Sequence, residues 1–225
     1  LFFDWGLMIL GLYVFYYYPS ILTFLASVVV IGSRQFALAV LAHDGAHNLL
    51  FSNSKINDFI SQWFCAYPIF QDNRVYRPYH LKHHRFTETE EDPDLILSAP
   101  FPINKKSFFR KVVRDLTGVT GYRRYSSSLV SIFKTEGDNS SGKISRIWNK
   151  IHGFFIVNLV IFVLISSFFH WSLFFLLWWL PAFTYYSLII RIRNIAEHCV
   201  TPGESDFNNT RTTRASFLMR FLLAP

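Results

Sequence analysis

Residues 21–42 read ILTFLASVVVIGSRQFALAVLA, and the next five are His43-Asp44-Gly45-Ala46-His47. Twenty-two residues at 1.5 Å each make a helix of roughly 33 Å, about the hydrocarbon thickness of a bilayer. The five that follow place two imidazoles four positions apart, on one face of a helix and roughly 5–6 Å apart at Cβ. An apolar span ends in a histidine pair.

The flanking sequence extends this pattern. Phe2 to Tyr18 is apolar except for Asp4, and Tyr18-Pro19-Ser20 marks a turn into the next run. A second apolar block covers Gly153 to Ile190, with His170-Trp171-Ser172 as its bend. It is too long for one span and too short for three. The expected fold is therefore all-α and polytopic, with four membrane helices near 2–18, 21–42, 153–169 and 172–190, paired as two hairpins. Phe59 to Phe70 holds only 12 apolar-rich residues and reads as an interfacial or re-entrant helix. Residues 43–151 form one polar region of a single domain, a helical cap with its likeliest flexible loop at 136–142.

Composition agrees: 51% of the 225 residues are hydrophobic and 19% aromatic. The net charge of +7 raises nucleic acid as a partner, but its distribution argues against one. Of 22 Lys and Arg, 15 lie between Gln71 and Ile151 and 5 follow Ile190, while neither short turn inside the apolar blocks holds any. That is the positive-inside pattern, and it puts the polar region on the cytoplasmic side. Cys65 and Cys199 make no disulfide framework, and the first block lacks the basic start and small-residue cleavage site of a signal peptide. The chain opens on Leu1 and stops at Pro225 in mid-pattern, so both ends read as cut.

Six of eight histidines share one geometric logic. His43 and His47 are i, i+4; His80, His83 and His84 are i, i+3 and i+4; His198 follows Asn194 by four just past the last span. Any one of them alone is more often a surface or satisfied core residue. Two such boxes at the edge of a membrane are not explained that way, and point to metal. Imidazole suits iron, zinc, copper and nickel. Six ligands exceed what one catalytic zinc uses, so the count points to two ions. A zinc protease would need glutamate beside the first histidine, where this chain has Asp44, with Gly45 weakening the helix. His152, at the basic entry to the third span, and His170, on the far side of the membrane, are excluded.

With these boxes, the acidic Thr89-Glu90-Glu91-Asp92-Pro93-Asp94 and Arg193-Asn194-Ile195-Ala196-Glu197-His198, the sequence resembles the membrane fatty acid desaturase family, and looks closest to bacterial acyl-lipid-type members. The order hairpin, boxes, hairpin, box runs through nearly the whole chain. The resemblance implies two irons held by His43, His47, His80, His83, His84 and His198, with O2 as co-substrate and a fatty acyl lipid as substrate. It also implies an outside electron-transfer partner, a ferredoxin or a cytochrome b5-like protein, since no H-P-G-G haem motif is present. The family's third box, H-x-x-H-H or Q-x-x-H-H, is absent from this chain, so the 225 residues alone are expected to hold iron poorly and to be inactive.

Other polar residues carry paired readings. Asp44 and Glu197 adjoin ligands and could orient an imidazole. Asn194 is a water-bridged or neighbouring group, or else a cap. Asp92 and Asp94 form a solvated acidic loop or support the ligands, with Asp94 the kept candidate. Arg34, with Gln35, faces the bundle interior or snorkels to the interface. The alternative activity is hydroxylation of a carotenoid or other lipid with the same site. A non-catalytic metal-binding membrane protein or transporter is disfavoured, because transporters hold ligands near the midplane.

Overall fold

Ser20 starts the helix that organises the molecule. Its hydroxyl accepts from Thr23 N at 3.1 Å while Ser20 N donates to Thr23 Oγ1 at 3.0 Å, a reciprocal cap that satisfies two otherwise orphaned donors. In the computed structural model, which describes residues 1–87, 89–133, 140–199 and 214–223, every regular element among the described residues is helical. Helix α1 covers Phe2–Tyr17 and α2 covers Ile21–Ala46. They run antiparallel: Asp4 meets Arg34, and Ser27 Oγ donates to the Gly11 carbonyl at 2.8 Å. A Cβ on Gly11 would lie 3.1 Å from the Ile31 side chain, so the two helices approach closely there.

α2 runs on past residue 42, the expected end of the span, through His43 to Ala46. The first four residues of the histidine box are thus helical, and His47 is the C-cap. After it come α3 (Ser54–Ile60), a π-helical turn Ser61–Ala66 and a 3-10 turn Tyr67–Ile69. This is the short apolar run of the sequence. Cys65, Ala66, Tyr67 and Ile69 are buried in a core shared with Met8, Leu12, Leu38 and Ala42. Asn158 Nδ2 donates to the Tyr67 carbonyl at 3.0 Å, tying the turn to the second apolar block.

The polar region holds α4 (Asn73–Phe86), α5 (Leu95–Ser98), α6 (Lys105–Leu116) and α7 (Val119–Phe133). α8 spans Ser140–Phe168, so the expected loop begins to be helical at Ser140, and residues 134–139 lie outside the described residues. The chain bends at His170–Trp171, as expected, into a π turn Phe174–Trp179, then α9 (Leu180–Phe183) and α10 (Tyr185–His198). The last expected span, 172–190, is therefore longer and interrupted. Pro181 has no N–H to give the helix, and a change of pitch before it with a break at Thr184 absorbs the loss. A short α11 (Phe217–Leu223) lies against α2.

Among the described residues three helices are long and apolar enough to cross a membrane: Ile21–Ala46, Ile147–Phe168 and Phe174–His198. The sequence reading counted four. The remaining one, α1, is apolar but has 16 residues, about 24 Å of helix, short of a full crossing without help from its neighbours. The outward faces carry large apolar side chains, among them Ile9 and Leu10 on α1 and Leu159, Val163 and Leu164 on α8. A surface of that kind suits hydrocarbon.

Candidate metal centre

The site forms where the end of α2 meets α4. Carbonyls in the last turn of a helix have no partner within it. Here they are taken by side chains from later in the chain. Asn73 Nδ2 donates to Ala42 O at 2.8 Å and Asn57 Nδ2 to Gly45 O at 2.8 Å. Arg77 donates to Ala46 O through Nε and to Gly45 O through NH2, each at 3.0 Å, and its NH2 also reaches Asp58. Asn73 and Arg77 sit on α4, so they fix α4 against α2 at the level of both boxes. Gly45 makes this possible, because a Cβ there would collide with the Ser61 side chain. The glycine that weakened the sequence case for a helix is a point of close passage.

With the helices so placed, His43, His47, His80 and His84 point into one space. Each offers a ligand atom, and these atoms lie within 4.8 Å of one another. His80 Nε2 is 3.0 Å from His47 Nε2 and 2.9 Å from His84 Nε2. Two ligands at right angles on a metal with bonds of about 2.1 Å stand about 3 Å apart, so the spacing fits a shared ion. Electrostatics agree. Burial, then the neighbouring imidazoles, push the His80 pKa down to about 3. His47 and His84 are lowered by burial and by their histidine neighbours. These shifts favour the neutral form of His47, His80 and His84, the form a metal needs. Tyr76 stacks on His80 with ring centroids 4.9 Å apart.

His83 lies beside this group, its ring centroid 5.9 Å from that of His80. Its ring centroid is 5.1 Å from that of His198, which α10 delivers from the end of the last apolar segment, and 5.6 Å from His84. His83 Nδ1–H donates to Asp92 Oδ1 at 2.7 Å, and both side chains are buried. Asp94 stands 3.9 Å from the same nitrogen and accepts from the Tyr79 hydroxyl at 2.6 Å. The six histidines thus form one continuous patch with two lobes, four rings in one and His83 with His198 in the other.

The remaining candidates fall at different distances from this patch. Asp44 Oδ1 accepts from Nδ1 of its own neighbour His43 at 3.1 Å. Glu197 is engaged by Arg193, whose Nε donates to it at 2.8 Å. Asn194 is half-buried on α10, one turn before His198. Arg34 is buried well down α2, paired with Asp4 at 3.1 Å and stacked over the Phe221 ring, so it belongs to the helix packing. Gln35 Nε2 donates to Trp178 O at 2.7 Å. His152 and His170 bond locally, to Trp148 O and Ser172 Oγ. Sequence reasoning missed Asp92 as the closest carboxylate to a histidine, and missed Asn57, Asn73 and Arg77 altogether. It also missed the buried pair of Asp115 and Arg191, which fastens α6 to α10 seven residues before His198.

The family model described as fatty acid desaturase matches residues 19–225. Dihydrorhizobitoxine desaturase from Bradyrhizobium elkanii is 41% identical over 71 residues, which is 31% of this chain and 20% of that relative. The match thus spans about a fifth of the relative's length. No solved structure gives a significant match.

Proposed function

The chain belongs to the fatty acid desaturase family, and on that premise we propose that the protein introduces a cis double bond into a fatty acyl chain, at a membrane, with two histidine-held irons and O2. One observation carries the reading. His43, His47, His80 and His84 bring ligand atoms within 4.8 Å of one another at the polar end of a helix long enough to cross a bilayer. His83 and His198 stand beside them as the start of a second ligand set. In this reading α1 joins the three longer helices as a fourth span in a second hairpin, and the basic surface of residues 71–151 marks the cytoplasmic side.

Bound there, two irons would supply the O2 activation that removal of hydrogen from an unactivated C–H bond requires. In the overall balance a –CH2–CH2– unit gives up two hydrogens and becomes –CH=CH–. One O2, with those two hydrogens and two electrons and two protons from outside, leaves as two waters. The electrons come from a ferredoxin or a cytochrome b5-like protein. The chain's own residues do the positioning. Asp92 and Asp44 accept Nδ1–H from His83 and His43, which leaves Nε2 of each ring to face the metal space. Tyr76 covers one face of His80 and excludes water there. Asn194, one turn before His198 on α10, would in this reading act through a water.

The relative named for dihydrorhizobitoxine favours a second reading, in which that compound or a similar one is desaturated rather than a fatty acyl chain. Expression of the full-length protein in a host of defined lipid composition separates them. New cis double bonds in total lipid that vanish in His83→Ala, with two irons per purified chain, are the expected result. A single zinc or copper would overturn the di-iron reading. Unchanged lipids with conversion of added dihydrorhizobitoxine would move the assignment to the second, and altered pigments would move it to a hydroxylase.

A further inference from the structure

The surface of α6 and α7 has no part in holding the histidines. From Lys105 to Arg124 the chain has seven Lys and Arg and a single acid, Asp115. That acid is fully buried, taken by Arg191 and by the Thr120 hydroxyl at 2.6 Å. The outward side of this segment is therefore cationic with no acid of its own to balance it. Burial lowers the Lys111 pKa, and Arg191 and Arg114 beside it add to that. Between the cations runs an apolar stripe at helical spacing: Phe109, Val113 and Leu116 are 67%, 42% and 47% exposed, flanked by exposed Lys106 and Arg110.

Depth is set by what these helices pack against. Gly121 of α7 lies against the backbone of Phe183, and Arg124 NH2 donates to Ala182 O at 3.1 Å. Both partners lie inside the apolar segment Phe174–His198. The start of α7 is thus level with the apolar segment, which sets its exposed Tyr122 at that depth. α6 is attached higher up, at Arg191, nearer the polar end of that helix. A soluble acidic protein would need an apolar groove of its own to use more than the charges of α6. A helix lying in the interface uses both.

We propose that α6 is an in-plane membrane helix that binds anionic phospholipid headgroups through Lys106 and Arg110, with Phe109, Val113 and Leu116 set among the acyl chains. The proposal rests on the membrane reading above. It adds a dependence on lipid charge, and it puts a lipid-sensing element in direct mechanical contact with α10, the helix that carries His198.

Hydrogen–deuterium exchange of the full-length protein in nanodiscs tests it, comparing phosphatidylcholine alone with phosphatidylcholine containing phosphatidylglycerol. Peptides over residues 105–116 should exchange more slowly in the anionic discs, by about fivefold for each cation engaged. The difference should collapse in molar salt and in Lys106→Glu/Arg110→Glu, while protection of residues 21–46 and 147–168 stays the same. Equal exchange of 105–116 in both discs, with the spans protected, would overturn the proposal and leave the membrane reading intact. Unprotected spans in either disc would overturn the membrane reading itself. Slowing by added poly-L-glutamate in neutral discs, without any response to phosphatidylglycerol, would assign the surface to an acidic protein instead.

Discussion

His83 and Asp92 form a buried imidazole–carboxylate pair, with Nδ1 of the first 2.7 Å from Oδ1 of the second. The carboxylate also accepts from the backbone N–H of Asp94 at 2.8 Å, so the loop that carries it is folded onto the histidine. A carboxylate in this position fixes the ring's tautomer and raises the basicity of the opposite nitrogen.

Asp92→Asn should therefore weaken metal binding by about 10–100-fold while leaving the helices folded. Asp94→Asn, which loses a more distant and more exposed partner, should cost much less. Metal content of the two purified full-length variants after dialysis against a graded chelator series checks this. Equal retention in both would show that Asp92 does not support His83.

Gly45→Ala is the sharper test of how α2 and the π turn cross. The added methyl has to displace Ser61, in a packed region, at a cost of about 1–3 kcal/mol. Because Gly45 lies between His43 and His47, the shift should separate them from His80 and His84. Thermal unfolding in detergent should show a lower midpoint, with metal lost in parallel. Ser61→Gly in the same chain should restore much of both, since it removes the atoms that collide. Failure of that rescue would mean the crossing is not what limits the substitution.

The sequence carried the histidines well and their supports poorly, for a physical reason. His43 with His47, at the end and C-cap of α2, and His80 with His84, within α4, are four apart, so the closeness within each pair follows from helix geometry. Asn57, Asn73 and Arg77 act on carbonyls 12 to 32 residues away, and nothing local in the chain announces that. Asp92 sits in an acidic loop whose Glu90 and Glu91 are exposed and whose Asp94 is half-buried, and only the fold separates it from them. Arg34 was legible as an interior or an interfacial charge. Its partner Asp4 settles it as an interior one, and that pairing needed the antiparallel register of α1 and α2. Pro181 was visible, but the longer, broken helix around it comes from a pitch change that periodicity does not reveal.

The depressed pKa of His80 has a consequence for stability. Unfolded, this ring titrates near 6.5; folded and free of metal, near 3. Above pH 6.5 it is neutral in both states and contributes no pH dependence. Between pH 6.5 and about 3 the unfolded chain takes up a proton that the folded one resists, so stability falls as pH falls. The metal-free protein should unfold at lower denaturant concentration at pH 5 than at pH 7.5, and His80→Gln should flatten that slope. A midpoint independent of pH over this range would contradict the buried, neutral ring.

The pair of Asp115 and Arg191 gives the last expectation. Asp115 is fully buried and accepts from Arg191 NH2 at 2.8 Å and from Thr120 at 2.6 Å, so its removal strands a largely buried guanidinium. Breaking a buried pair from one side costs about 3–5 kcal/mol, much more than exchanging both partners for apolar residues of similar size. Asp115→Ala should thus be strongly destabilising, and Asp115→Leu/Arg191→Met far less so. The double variant separates two roles of the pair. If the pair serves only to hold α10 in place, packing in the double variant should keep His198 opposite His83, and metal content should stay near that of the unaltered protein. A double variant that is stable but poor in metal would show that the charges themselves set the approach of α10 to the histidine patch.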